Sequence, residues 1–428
     1  MYKTLLTGGA LFALVSCASS GGAQKTAELT LKNTASVDRP EATVSFSRQQ
    51  LEDKLGALGN NYVQFKTEQA SLTAQFEDTD ADGKWDEALL LCPLKADERQ
   101  KVLMEVTTTA PVATVEKKAH ARMKLKLEDD RFGDDQPQVT MPDQNPPTDF
   151  SKHALPPYLT EGPGWENDKV AYRLYFDTRN NKDIYGKRIA GMVLDSVGAN
   201  PANSYHHLSN WGMDILKVGS SLGAGALAFS YQKADGKDTL VRLGGNDIKA
   251  ETYQLLEDGP LRASFLMTYP WQLAGKAVTV TEKISIAAGD YHYTSEIAVK
   301  GDDLPKDLKV DMGIADFYEN TLDSISTDKA KAVFSYGKQT ENHDQVGMAI
   351  ISTKPANARI WSIGEQVTPL SDITSTYFMQ EPISKDSPVR FQFLAGWELS
   401  DSAFTSAEGF KTYLSQELER LTHPIEVE

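Results

Sequence analysis

Trp165-Glu166-Asn167-Asp168-Lys169-Val170-Ala171-Tyr172-Arg173-Leu174-Tyr175-Phe176-Asp177 alternates strictly from residue 170 onward. Val170, Tyr172, Leu174 and Phe176 fall on one face, and Ala171, Arg173, Tyr175 and Asp177 on the other. That pattern makes a strand with one face to a core and one face left for other work. The stretch continues through Ile184-Tyr185-Gly186-Lys187-Arg188 to Ser204-Tyr205-His206-His207. It then reaches Trp211-Gly212-Met213-Asp214-Ile215-Leu216-Lys217-Val218-Gly219 and a run of mostly small residues up to Ala226. Between Glu166 and Arg188 six basic residues (Lys169, Arg173, Arg179, Lys182, Lys187, Arg188) meet four acidic ones.

Downstream the text stays β. Val278, Val280, Glu282, Ile284 and Ile286 alternate with Thr279, Thr281, Lys283 and Ser285. Tyr291, Tyr293, Ser295, Ile297 and Val299 alternate with His292, Thr294, Glu296 and Ala298. Further strands are expected near residues 226–232, 262–269, 309–314, 345–352 and 389–397. One helix closes the chain: Thr405 with Glu408 makes a capping box ahead of the stripe Phe410, Leu414, Leu418 and Leu421. Upstream, seven short alternations are separated by polar turns, the last at 120–127, and Ser47 with Gln50 caps a short helix reaching Leu58. Residues 128–157 carry acidic side chains and Pro137, Pro142, Pro146, Pro147, Pro156 and Pro157, which disfavour regular structure. The expected fold is therefore all-β: a small N-terminal β-sandwich over 29–127, a linker over 128–157, and a large antiparallel supersandwich over 158–428 ending in a helix.

The first residues read as an export signal. Lys3 precedes a short apolar run that ends in Leu14-Val15-Ser16-Cys17, which resembles a bacterial lipoprotein cleavage box. That resemblance implies removal of residues 1–16 and lipidation of Cys17. With Ala18 next, it also implies sorting to the outer membrane. An ordinary secretory signal is the alternative. Residues 17–28, rich in Ser, Gly and Ala, read as a flexible tether. Only Cys92 would then remain, so the mature chain has no disulfide. A net charge of −16 in 428 residues argues against nucleic acid as a partner. An acidic substrate would need a locally basic site.

Asp78-Thr79-Asp80-Ala81-Asp82-Gly83-Lys84-Trp85-Asp86-Glu87 places carboxylates at alternate positions around a glycine. Asp78, Asp80, Asp82 and Asp86, with the Lys84 carbonyl, form a ligand set suited to structural Ca2+. It is not an EF-hand, since Leu89 stands where the bidentate Glu would be. A solvated acidic turn is the alternative. His206 and His207 are adjacent and would point to opposite sides of a strand. One of them, beside Tyr205, Asp214 and Lys217, has the chemistry for acid–base work near neutral pH. The other reading is a loop whose histidines bond to backbone. Trp165, Trp211 and Tyr172 suit either a core or sugar-stacking platforms. His343, in an expected loop, could reach a cleft. No phosphate loop, dinucleotide fingerprint, serine elbow or zinc-protease helix occurs, so no organic cofactor is expected.

The runs 165–177, Asp183-Ile184-Tyr185-Gly186-Lys187 and 211–219 resemble a bacterial family, the domain of unknown function 4861, over essentially the whole mature chain; residues 78–87 fit the same layout. The resemblance implies a galactose-mutarotase-like sandwich, company with polysaccharide lyases and unsaturated-uronyl hydrolases, and in at least one relative dehydration of ulvan fragments. It transfers no catalytic residue to this chain. Removing water across C4–C5 of a terminal uronate requires neutralising its carboxylate, abstracting the C5 proton and protonating the leaving hydroxyl. For those tasks the sequence offers Arg173 and Lys217 as clamp, His206 or His207 as base and Tyr205 as acid. Arg179, His343 and the three aromatics would contact substrate. A glycosidic leaving group would make the same site a lyase, and a surface glycan-binding lipoprotein would need no chemistry.

Overall fold

The computed structural model describes residues 25–143, 145–233, 235–245, 248, 250–363 and 371–428. The signal segment 1–16, the lipidation site Cys17 and most of the tether lie outside them. Residues expected to end the tether are already structured, because the first strand is Thr26–Lys32.

The small unit is a sandwich of a four-stranded and a three-stranded sheet. Strand Thr26–Lys32 pairs with Arg99–Thr107 on one side. On the other it pairs with the chain's last strand, Glu426–Val427, so the C-terminus completes the N-terminal sheet. Leu29, Leu31, Val44, Phe46, Val63, Phe65, Leu90 and Met104 fill the space between the sheets. The expected Ser47–Gln50 capping box caps helix Arg48–Leu55, which stops at Gly56 rather than running on to Leu58.

The large unit is an antiparallel supersandwich. A nine-stranded sheet runs from Gln138–Thr140 at one edge to Glu319–Ser326 at the other. Against it pack two five-stranded sheets, one of them carrying Val170–Leu174 at its centre. In strand Lys276–Ala287 the residues at 278, 280, 282, 284 and 286 are buried and the others less so, as the alternation requires. Glu282 is the charged member of that buried face, and it is matched there by Lys182 and Ser295. Helix Ala407–Thr422 lays Phe410, Leu414 and Leu418 on the nine-stranded sheet. Its N-cap is Ser406, one residue after the expected Thr405, with the hydroxyl accepting from Gly409 N–H.

Two boundaries move. Strand Ala119–Arg122 was expected in the small sandwich, but it pairs with Gly164–Asn167 as an edge of the large unit. The expected linker is not free chain. Gln138–Thr140 pairs with Thr252–Asp258. Val139 and Met141 are buried in the main core. Pro137 and Pro142 bracket this strand, the sheet-edge position a proline tolerates. Prolines here mark an edge rather than a break between domains.

Candidate functional site

The site is built on the outer side of the sheet that carries Val170–Leu174. On the inner side Trp165 stacks on Tyr172, with ring centroids 5.7 Å apart, and meets Tyr293 edge-on. Trp165 is 1 % exposed and Tyr172 is fully buried. Two of the three candidate stacking platforms are therefore core residues, and no sugar can reach them.

The outer side is covered as well. Residues 188–211, between the strands Lys182–Lys187 and Gly212–Asp214, fold back across it. Val193, Leu194 and Val197 pack on Ala171 and Tyr185, with Tyr205 and Trp211 at the margin. The cover is pinned from below. The buried Glu166 carboxylate accepts from the Val193 and Leu194 N–H groups at 2.8 and 2.7 Å and from Lys187 Nζ at 2.6 Å. Arg122 donates to the Leu194 carbonyl and to Thr160 Oγ1. Gly212, the glycine of the Trp-Gly-Met-Asp run, sits at φ +136, and a Cβ there would fall 1.8 Å from the Gly186 carbonyl oxygen. Only glycine lets the chain re-enter the sheet so tightly.

Under this cover lies Arg173. Nη2 donates to Asp183 at 2.7 Å, to Asp214 at 2.8 Å and to the Tyr175 hydroxyl at 2.7 Å. Nη1 reaches Glu161 at 3.3 Å and the Tyr205 hydroxyl at 3.2 Å. Arg179 continues the network to Glu161 and Asp177, and its guanidinium lies 3.9 Å from the Tyr175 ring centroid. Thr160 and Glu161 both occupy left-handed backbone, at φ +52 and +65. Strain of that kind in non-glycine residues clusters at functional sites. Arg173, expected to clamp substrate, is instead buried and saturated by protein carboxylates, whereas Arg179 pairs with two carboxylates and keeps a side chain 30 % exposed.

Burial, reinforced by the neighbouring Asp183, pushes the Asp214 carboxyl well above the usual range, despite the opposing Arg173 charge. Among the described residues no hydrogen bond reaches the buried Asp214 Oδ1, which suits a protonated acid. His206 stands above it, with Nδ1 3.4 Å from Asp214 Oδ2 and a side chain 59 % exposed. Partial burial and then the Arg173 charge hold the His206 imidazolium below its ordinary pKa, so near neutral pH the ring is a free base. Tyr205 stacks obliquely on His206, with ring centroids 4.4 Å apart, and its phenol is pushed up by burial. The phenol therefore keeps its proton at neutral pH. His207 is exposed and makes no hydrogen bond or ion pair among the described residues.

The rest of the rim comes from far along the chain. Glu341 N–H donates to the Ile215 carbonyl, and Thr340 bridges to Leu216. The exposed Lys217 ammonium stands 4.8 Å from the Phe317 ring centroid and 5.0 Å from that of Tyr318. His343 meets Tyr318 edge-on at 5.3 Å. Trp211, half-buried, leans on Tyr185. Tyr205, His206, Arg173, Arg179, Lys217 and His343 thus fall in one region. The sequence reading missed Glu161, Tyr175, Asp183, Tyr318 and Glu341. Tyr175 and Asp183 lay within the quoted runs on the outward face, a legible signal. Glu161, Tyr318 and Glu341 left no local mark.

In the small unit, Asp78, Asp80 and Asp86 each place a carboxylate oxygen within 4.8 Å of the others. Asp78 accepts from the Asp82 and Gly83 N–H groups, and Asp82 from Lys84 N–H. The turn is therefore preformed, with oxygen donors of the kind a hard cation takes.

An all-β supersandwich with a covered, arginine-centred carboxylate network and a histidine above it defines the class. The chain belongs to the family described as Domain of unknown function (DUF4861), whose model matches residues 31–427. A relative from Formosa agariphila, named "Uncharacterized protein P7", is 23% identical over 420 residues, covering 93% of this chain and 92% of the relative. Among solved structures, an alpha-mannosidase from Enterococcus faecalis V583 aligns with a TM-score of 0.42 at 10% identity over 94% of this chain. This chain spans less than half, 46%, of that mannosidase chain. A putative aldose 1-epimerase from Klebsiella pneumoniae aligns with a TM-score of 0.33 at 11% identity, over 69% of this chain and 96% of the epimerase.

Proposed function

We propose that the protein is an exported, uronate-directed eliminase: a carbon–oxygen lyase that removes water from the terminal uronate of lyase-derived acidic oligosaccharides such as ulvan fragments. The observation that carries the reading is His206 standing 3.4 Å above the buried Asp214, beside the protonated Tyr205 hydroxyl. Neutral His206 takes the C5 proton. The released electron pair becomes the C4=C5 double bond as the C4–O bond breaks, and Tyr205 gives its proton to the departing hydroxyl, which leaves as water. Arg173, hydrogen-bonded to the Tyr205 oxygen, stabilises the phenolate left behind. The substrate carboxylate falls to Lys217, because Arg173 is already saturated.

Dehydration would convert a saturated end into a substrate for unsaturated-uronyl hydrolases, which gives the protein a place beside lyases in polysaccharide breakdown. The proposal includes anchoring to the outer membrane through lipidated Cys17 and structural Ca2+ at residues 78–86. The test is incubation with lyase-derived acidic oligosaccharides while mass and ultraviolet absorbance are followed together. Loss of one water with a new conjugated double bond and no chain shortening is expected. Double-bond gain with shorter chains would make the protein a polysaccharide lyase on the same scaffold. Binding without turnover would make it a glycan-binding lipoprotein. No change across ulvan, alginate, pectin and glycosaminoglycan fragments overturns the enzyme reading.

A further inference from the structure

With Trp165 and Tyr172 in the core and Trp211 against Tyr185, the exposed aromatic at this rim is Tyr318, which is 40 % exposed. Its backbone sits at φ +55, in the left-handed region that a bulky residue enters only under constraint. The constraint is visible. Phe317 N–H donates to Gln339 Oε1 at 3.2 Å, and the Asn320 amide donates to Asp316 at 2.8 Å and to the Tyr318 carbonyl at 3.3 Å. His343, on the adjoining loop, is likewise left-handed at φ +61. Two strained loops thus bring a phenol, an imidazole and the Lys217 ammonium to one open ring. The Tyr318 hydroxyl is 3.4 Å from the Glu341 carboxylate. A tight reversal alone would be better served by glycine or asparagine. The strained tyrosine therefore calls for a reason on its exposed side.

We propose that Tyr318, Lys217 and His343 form a subsite for an anionic pyranose, with the sugar face packed on the Tyr318 ring and its carboxylate or sulfate held by Lys217 and His343. Aromatic faces take the apolar face of a sugar, and the adjacent Lys217 ammonium selects the acidic one. Glu341 pairs with the phenol and offers an acceptor to a sugar hydroxyl. The subsite rests on the eliminase reading for its substrate class, and it holds the reacting uronate itself, through the carboxylate that Lys217 neutralises.

The test combines calorimetric affinity, melting temperature and turnover for wild type, Tyr318→Gly, Tyr318→Phe and Lys217→Ala. The panel is uronate-bearing, sulfated and neutral oligosaccharides of equal length. Tyr318→Gly removes the ring and relieves the backbone. It is expected to melt no lower than wild type while binding uronate oligosaccharides at least tenfold more weakly, with KM raised and kcat within threefold. Tyr318→Phe should restore affinity to within threefold, and Lys217→Ala should erase the preference for acidic over neutral chains. The uronate and sulfated arms identify which anion the subsite takes. Wild-type affinity in Tyr318→Gly, or a fall in melting temperature shared by Tyr318→Phe, overturns the subsite. Acidic oligosaccharides bound through Tyr318 with no water lost would leave the subsite standing and overturn the eliminase.

Discussion

Two clusters of carboxylates in this chain differ mainly in their access to water. At residues 78–86 the aspartates sit in an exposed turn, where their own backbone N–H groups and solvent satisfy them. Under the 188–211 cover, Glu161, Asp177, Asp183 and Asp214 are buried and depend on Arg173 and Arg179. An exposed carboxylate needs no partner, whereas a buried one must find a cation or keep its proton. The buried cluster can therefore hold a base and an acid in place, while the exposed one has only a cation to gain.

The strongest way to break this comparison is to remove the cation from the buried cluster. Arg173→Ala takes the cation from the buried Asp183 and Asp214 and leaves Glu161 to Arg179 alone, and the expected loss is about 3–5 kcal/mol in urea unfolding. A loss below about 1 kcal/mol would show that water fills the space and that the two clusters differ little.

Next comes chemistry at the boundary between the regimes. His206→Ala should lower turnover roughly a hundredfold or more, yet move stability by no more than about 0.5 kcal/mol, since the ring is half in solvent. His207→Ala should cost less than about tenfold. Because the His206 pKa is held below its ordinary value, its neutral form persists to lower pH, so the acid limb of the rate profile should lie below about 6.5. An acid limb above that value, or equal losses at His206 and His207, would remove His206 from the base role.

A third experiment sharpens the contrast where a buried histidine meets carboxylates. Burial by itself would lower the His120 pKa, but hydrogen bonds to Asp195 and Asp258 outweigh it and push the group up to about 9. The folded state thus keeps a proton that the unfolded chain loses near 6.5. The resulting stability is complete below about pH 6.5 and is lost as pH rises toward 9, on the order of 2 kcal/mol after allowance for the exposed Asp195. His120→Gln should flatten that slope in pH-dependent melting. An unchanged slope would assign it elsewhere.

The smallest expected effect belongs to the exposed cluster. Excess calcium should raise the melting temperature of metal-stripped protein by roughly 2–4 °C, since a ligand bound only by the native state stabilises it. Asp80→Ala should abolish the rise. Identical curves with and without calcium would leave residues 78–86 a solvated turn.

Much of the fold was legible because alternation reports directly which residues share a face. Lys276–Ala287, His292–Lys300 and Val389–Trp397 all fall where the pattern placed them. The errors came where one local signal has two tertiary uses. Prolines at 137 and 142 suit a linker and an edge strand equally, and pairing with Thr252–Asp258 chose the edge. Ala119–Arg122 alternates as well for one sheet as for another, and Gly164–Asn167 claimed it. At the site, Tyr205, His206, Asp214 and Lys217 came from one marked stretch, whereas Glu161 of the carboxylate network lay outside it. Tyr318 and Glu341 stand in loops with no distinguishing composition, and they matter only because Thr340 bridges to Leu216.

The sequence alone determined the β architecture, the Ser47–Gln50 cap, the strand at Val170–Leu174 and the chemical content of its outward face. Periodicity and local hydrogen bonding act over a few residues, so they can be read in a line of text. Whether that outward face meets water was a tertiary decision. The 188–211 segment seals it through Glu166 and Arg122, which turns Arg173 from an available clamp into a saturated support. Burial is the sum of contacts from residues distant in sequence, and those contacts set which charges are paired, which acid keeps its proton and which aromatic ring is left open to a ligand.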